Sequence, residues 1–363
     1  MKSFYVVYYE SGVINSDVYH TDTGKFKNVK VSNNRNNKLY VIVIGESTTS
    51  RNMSLYGYNR TTNPLLSRQK DLSVFDNVIS PHAGTTASIT KSLSLKNFEN
   101  SSMSFEGSIM QLLNAANYDT YWISNQQPVG FAETDITKIV YANRNKIYLN
   151  TEGTEEFNQY DDVIFDQIDS VISEESDTNK VLFIHIQGNH FYYKNRYPDS
   201  FNVFKENQKL TVATKQNEFN IINEYDNAVV YNDFIINKII NKVKNKKTES
   251  FLLYFSDHGE EVYHTIKFAG HNDDVGTLPM FQIPFLLWRS KNYIEKNNIQ
   301  IDLERGYMTD DLFHSIADLC AVNNINVDLE RSIFSNKFKE RKRVILGNKD
   351  YDSLLSIENN RKK

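Results

Sequence analysis

Cysteine is nearly absent from this 363-residue sequence. The only one, Cys320 in "SIADLCAVNN", cannot build a disulfide framework, a zinc knuckle or a paired-cysteine redox motif. Long apolar runs are missing too, and no window approaches the roughly 18 residues a spanning helix needs. The opening "MKSFYVVYYESG" has one lysine and a short apolar run broken by Glu10, too short and too polar for a secretory signal. Charge of one sign is not in excess: the net is −4, and no basic run compares with a nucleic-acid arm, so no nucleic-acid partner is expected. No repeat of about 20–50 residues is visible. What remains is a water-soluble globular chain. Any membrane anchor is expected outside it, and the thiol content suits a periplasmic or a cytoplasmic home.

What is present alternates apolar runs of strand length with longer helical stretches. Strands are expected at Leu39–Ile44, Thr120–Ser124, Val181–Ile186, Phe251–Ser256 and Ile283–Trp288. Helices are expected at Ser108–Ala116 and Asp161–Ile172, and a long one at Glu218–Lys242, where Ile221, Tyr225, Val229 and Ile235–Ile239 recur near helical spacing. In "TDDLFHSIADLCAV", Thr309 is the expected N-cap of another helix. Continuous apolar strands separated by helices predict an α/β fold, a mostly parallel sheet covered on both faces. Residues 1–37 are read as a linker or edge element, 38–336 as one α/β domain and 337–363 as a charged peripheral tail.

In such sheets ligands bind beyond the carboxyl ends of the strands. Three strands here finish in metal-ligand donors: "VIVIGE" at Glu46, "LLYFSDHGE" at Asp257 and His258, and "VLFIHIQGNH", through His185, at His190. Each has a plainer reading. Gly-Glu after a strand is often only a turn, Asp-His-Gly a helix start, and a loop histidine a hydrogen-bonding group; His20 and His314 are read as structural or solvated. Convergence on one sheet edge is what favours a site. Thr48 and Thr49, beside Glu46, are the first hydroxyls to consider as nucleophiles.

At these residues the sequence also resembles a family. "VIGESTTSRNMSLYGYNRTTNPLL", "FDNVISPHAGTTASITKSL", "WISNQ", "IHIQGNHFYYKNRYP", "EYDNAVVYNDFI" and "YFSDHGEE…GHNDD" occur in order and resemble the catalytic domain of phosphoethanolamine transferases, of the alkaline phosphatase/sulfatase-like superfamily. The match covers roughly Leu39–Leu319. It implies a zinc ion held by Glu46, a threonine nucleophile, Asp257 and His258. The gapless count from Glu46 places that nucleophile at Thr85, with Thr86 as the alternative. "TTASITKSLSL" reads as the first turns of a helix, whose amino end favours a phosphate, although a threonine there is also a common N-cap. The resemblance further implies phosphoryl contacts for His190 and His271, with His264 competing for the second role, and substrate contacts for Asn125, Gln126 and Lys194. His82 is open to either reading.

The implied reaction is ping-pong transfer of phosphoethanolamine from phosphatidylethanolamine through Thr85 to a lipid A, lipooligosaccharide or other surface glycan. It would run at the periplasmic face of the inner membrane, with the protein a monomer in contact with the membrane surface. Relatives carry spanning helices ahead of this domain, so weak activity is expected of this chain alone. Alternatives are a phosphoglycerol transferase or phosphodiesterase of the same superfamily, or a non-catalytic glycan- or lipid-binding relative. A sulfatase would need a Cys or Ser nucleophile in a flank that Cys320 lacks.

Overall fold

Eight residues from Lys38 to Gly45 form strand β1, all of them buried. The computed structural model describes residues 22–32, 37–99, 107–127, 135–150, 159–174 and 177–361; His20 lies outside them. The β-branched and aromatic run of β1 suits a pleated ribbon, and its alternate side chains feed opposite layers. Tyr40, Ile42 and Ile44 enter one core with Phe251, Leu253 and Phe255. Leu39, Val41 and Val43 enter the other with Leu252, Tyr254 and Ile239. Each fully buried aliphatic contributes about 1.5–3 kcal/mol, so β1 is the spine of the domain.

The remaining strands of the central sheet are β2 (Leu72–Val74), β3 (Tyr118–Ser124), β4 (Asn145–Tyr148), β5 (Asn179–His185), β6 (Glu249–Ser256) and β7 (Phe285–Arg289), in the order β2-β7-β6-β1-β5-β3-β4. β1 pairs parallel with β5 and β6, and β3 parallel with β4 and β5. β7 runs antiparallel to both β6 and β2, so the sheet is mixed, with one reversed strand. The reason lies in its connection. Between β6 and β7 the chain makes only the short pairing of Glu261–Val262 with Ala269–Gly270 and a 3-10 turn at Leu278–Met280. With no crossover helix it re-enters the sheet from the edge it left.

The helices fall near their expected places. Ser108 caps Ile109–Ala115 through a reciprocal box with Gln111. A 3-10 turn at Asp161–Val163 leads into Ile164–Ser173, and the long helix spans Gln216–Asn245. The expectation for Thr309 is corrected: Thr309–Asp311 forms a 3-10 turn ahead of the helix Leu312–Leu319, which Asp311 precedes without a side-chain cap. Thr309 Oγ1 instead accepts from Ser92 Oγ at 3.1 Å.

At the two ends of the chain, Lys30–Val31 pairs antiparallel with Val322–Asn323. Residues beyond 337, expected from their charge to be peripheral, pack on the body. Arg341 pairs with Asp310 and Asp311, Glu358 with Arg51 at 2.9 Å, and buried Tyr351 accepts from Gln282 Nε2 at 2.7 Å. Among the described residues no helix is long and apolar enough to cross a membrane.

Candidate metal centre and active site

β1 delivers Glu46 fully buried onto the carboxyl edge of the sheet, and β6 delivers Asp257 and His258 beside it. The approach of the neighbouring chain is close. A β-carbon on Gly188, whose φ is +52°, would lie 2.8 Å from the backbone N and O of Glu46, so only glycine lets the loop after β5 pass there. Gly259 is equally constrained, since a β-carbon would come within 2.1 Å of the Pro279 carbonyl.

One ligand-type atom from each of Glu46, Asp257 and His258 falls within a 4.8 Å cluster. His258 Nε2 is 3.1 Å from Glu46 Oε1 and 3.6 Å from Asp257 Oδ2. Its other nitrogen, Nδ1, lies 2.8 Å from the Gly259 carbonyl. A carbonyl only accepts, so Nδ1 holds its proton and Nε2 is the nitrogen turned towards Glu46 and Asp257, the one that gives up its proton when a cation binds. Asp257 Oδ1 takes the backbone N–H groups of Ser47 (3.2 Å) and His258 (2.7 Å), while buried Oδ2 has no hydrogen-bond partner.

Thr85 completes the group. It is the first residue of the helix Thr85–Ser92; Gly84 occupies the N-cap position and no side chain caps it. The plain capping role therefore does not apply to Thr85. Its Oγ1 lies 3.1 and 3.2 Å from the two Glu46 oxygens and 3.3 Å from His258 Nε2. Thr86 is exposed on the next position. Ser88, one turn on, fixes the helix by donating its hydroxyl to the Asp257 carbonyl. Thr48 and Thr49 are buried away from this group, with Thr48 N on Ser256 Oγ and Thr49 N on Tyr225 OH.

Burial opposes ionisation of Glu46, but the hydrogen bond and positive charge of His258, with lesser help from His190 and His271, hold its carboxyl well below the usual range. Burial and the charge of Glu46 push Asp257 well above it. Burial also works against a charge on His258, yet Asp257 and Glu46 outweigh it and push the imidazole up to about 10. Two buried carboxylates, one of them with an unpartnered oxygen, an imidazole nitrogen and a hydroxyl make a donor set that fits a four-coordinate zinc ion.

The other expected residues divide. His271 belongs to the centre: its ring centroid lies 4.1 Å from that of His258, and its Nδ1 is 2.7 Å from Glu260 Oε2. His264 turns away, with Nε2 on Asn52 Oδ1 at 2.6 Å. Gln126 Nε2 donates to Glu46 Oε2 at 3.2 Å. Half-buried His190 follows the Gly188 turn, and its backbone carbonyl is gripped by Arg196 Nε at 3.2 Å. Asn125 is buried and spends its amide on Asp161 Oδ1 and the Gln159 carbonyl, both at 2.9 Å; it builds the loop rather than facing its opening. Lys194 pairs with Asp199 at 2.6 Å and lies over the Tyr197 ring. His82 bridges to Asp273 at 3.1 Å, joining the Thr85 loop to the loop that follows His271.

Several contributors were missed. Buried Asp161 accepts from Gln187 N (2.8 Å) and Gly188 N (2.9 Å) as well as Asn125, and so shapes the His190 loop. It had read only as a helix start. Glu260 links His271 to the Tyr193 hydroxyl. Asp226 gathers Asn52, Tyr58 and Arg60, each at 2.7 or 2.8 Å, which explains the polar "SRNMSLYGYNRTTNP" loop as scaffold around the centre. The signal available for Glu260 was its place in "DHGEE" and for Asp226 its place in "EYDNAVVYNDFI"; nothing local marks Asp161.

A sulfatase family model matches residues 38–322. Phosphoethanolamine transferase EptC of Escherichia coli (strain K12) is 33% identical over 344 residues, covering 90% of this chain and 59% of the relative. Phosphoethanolamine transferase CptA of Salmonella typhimurium is 34% identical over 331 residues, covering 86% and 57%. The chain thus spans about three fifths of the length of these curated relatives. The crystal structure of the C-terminal periplasmic domain of E. coli EptC in complex with Zn superposes with a TM-score of 0.85 at 32% identity, covering 90% of this chain and 96% of that one.

Proposed function

The chain belongs to the sulfatase family, on the branch that holds the EptC periplasmic domain, and from that premise we propose that it is the catalytic domain of a zinc-dependent phosphoethanolamine transferase with Thr85 as nucleophile. The observation that carries this reading is the position of the Thr85 hydroxyl, within 3.3 Å of both Glu46 and His258 at the mouth of a buried carboxylate–imidazole cluster. The donor is phosphatidylethanolamine and the acceptor a lipid A, lipooligosaccharide or other surface glycan. The place of action is the periplasmic face of the inner membrane, carried over from the relatives.

Glu46, Thr85, Asp257 and His258 would hold the metal, which supplies Lewis-acid polarisation of a phosphoryl oxygen and eases ionisation of the hydroxyl. Glu46 lies in reach of the Thr85 proton. The amino end of the helix Thr85–Ser92 turns N–H dipoles toward an incoming phosphate. Thr85 Oγ1 forms a bond to phosphorus while the bond to the diacylglycerol oxygen breaks, and His271, oriented by Glu260, gives that oxygen its proton. His190, on the loop after β5, and Gln126, beside Glu46, would orient the phosphoryl group. In the second half the acceptor hydroxyl gives its proton to His271 as it bonds to phosphorus, the bond to Thr85 Oγ1 breaks, and Thr85 recovers its proton from Glu46.

The test is covalent trapping. The protein is incubated with zinc and phosphatidylethanolamine, digested and mapped by mass. The expected result is a phosphoethanolamine adduct on the peptide bearing Thr85, absent in Thr85→Ala. An adduct on Thr86, or one that survives Thr85→Ala, overturns the assignment.

A further inference from the structure

Immediately beyond His190 the chain presents two aromatic rings to solvent, Phe191 (46% exposed) and Tyr192 (42%). They pack on each other with centroids 4.8 Å apart, while the next residue, Tyr193, turns inward to Glu260. Tyr192 has φ +67° and ψ 49°, a left-handed conformation that side chains with a β-carbon rarely adopt. A buried clamp holds it there. Arg196 donates from Nε to the His190 carbonyl (3.2 Å) and from Nη2 to the Phe191 carbonyl (2.9 Å), and Asn195 N donates to the Tyr192 carbonyl (2.8 Å). The outward rings are built features of the loop.

Other loops on this edge of the sheet repeat the pattern. Leu210 is 72% exposed and Ile266 39%. Thr211 Oγ1 and Val212 N both donate to the Tyr263 carbonyl, at 2.7 and 2.9 Å, which fastens the Leu210 loop to the hairpin that carries Ile266. Lys209 and Lys267 sit exposed next to these two apolar residues.

We propose that this rim is a contact for the phospholipid bilayer. Phe191, Tyr192, Leu210 and Ile266 enter the headgroup layer, Lys209 and Lys267 meet lipid phosphates, and the opening beside His190 is held over the donor. The proposal rests on the reading of the donor as a phospholipid. Three observations favour a bilayer over another protein chain. The exposed aromatic pair directly follows His190, so the rings and the residue that would touch the headgroup lie on one loop. The apolar tips alternate with lysines rather than lining a continuous groove. Aromatic rings and lysine stems are also the side chains that settle at a membrane–water boundary.

The test separates binding from chemistry. The zinc-loaded protein is floated with vesicles of phosphatidylethanolamine and phosphatidylglycerol, and turnover is measured on the same vesicles and on a soluble short-chain phosphatidylethanolamine. Phe191→Ser/Tyr192→Ser is expected to weaken vesicle binding by about tenfold and to raise KM for the vesicle donor. Turnover of the soluble donor should stay unchanged. Leu210→Ser/Ile266→Ser, on separate loops, should act in the same direction and guards against a folding defect in the first pair. Unchanged vesicle binding in both variants overturns the proposal. So does an equal loss on both donors, and so does a dimer that the substitutions dissociate. Vesicle binding is read without turnover, so a protein that binds vesicles but forms no Thr85 adduct sinks the proposed reaction and leaves the surface standing.

Discussion

At the amino end of β1, Glu249 is buried beside Tyr40, whose hydroxyl donates to it at 3.0 Å; Asn297 donates at 3.1 Å and Lys296 lies 3.8 Å away. At the carboxyl end, roughly 25 Å along a strand of this length, Glu46 and Asp257 are buried together, and Asp257 Oδ2 has no hydrogen-bond partner. One strand thus connects a carboxylate whose charge is answered by neighbours to a pair whose charges conflict. The first arrangement adds to stability. The second detracts from it and is tolerated because it prepares a place for a cation.

The sharpest way to break that contrast is Asp257→Asn. The amide keeps an oxygen for the Ser47 and His258 N–H groups and removes one of the two like charges. Zinc content should fall towards zero and transfer activity by about 10²–10³-fold. The metal-free variant should nonetheless be more stable than the metal-free parent, by about 1–3 kcal/mol, as denaturant melts in the presence of a chelator would show. Glu249→Gln should do the reverse, lowering stability and sparing zinc binding. If both substitutions destabilise the metal-free protein alike, the contrast between the two ends is wrong.

The same contrast marks what was legible in the sequence. Strand ends that terminate in donors announce themselves: Leu39–Ile44 was expected where Lys38–Gly45 forms, Phe251–Ser256 where Glu249–Ser256 forms, and Glu46, Asp257 and His258 stand at those ends. Long-range geometry does not announce itself. The reversal of β7 follows from a connection without a helix, and the short edge strands Leu72–Val74 and Asn145–Tyr148 carry too few residues to show a period. Asp161 and Asp226 act by gathering partners distant in the chain, as when Asp226 meets Arg60 across 166 positions. No local pattern encodes such a contact. The charged tail likewise gave no local sign that Arg341 would meet Asp310 and Asp311.

A milder probe sharpens the functional end. Glu260 is buried and holds His271 at 2.7 Å while accepting from Tyr193. Glu260→Gln can still accept from Tyr193 but loses the charged partner that fixes the His271 ring. We expect kcat/KM to fall by about tenfold with zinc content unchanged. A loss of zinc would place Glu260 among the ligands, in line with its proximity to His258 and His271 in a second cluster of ligand-type atoms.

The smallest effect is expected at the structural end, from Cys320. The thiol is fully buried, its backbone carbonyl accepts from the Tyr118 hydroxyl at 2.9 Å, and it lies near Lys38, the first residue of β1. Burial pushes the thiol far above its ordinary range, and the weak opposing pull of Lys38 does not reverse this. A protonated thiol at the far end of the sheet from Glu46 cannot be a nucleophile for chemistry at the carboxyl edge. Cys320→Ala should therefore leave turnover unchanged and lower stability by about 1 kcal/mol through the small void it opens, a shift of about 1 °C in Tm for a chain of this size. Thiol reagents should modify the native protein only at the rate of unfolding. Rapid inactivation by such a reagent would mean that the amino end of β1 is open to solvent, and the division of labour along the strand would then have to be redrawn.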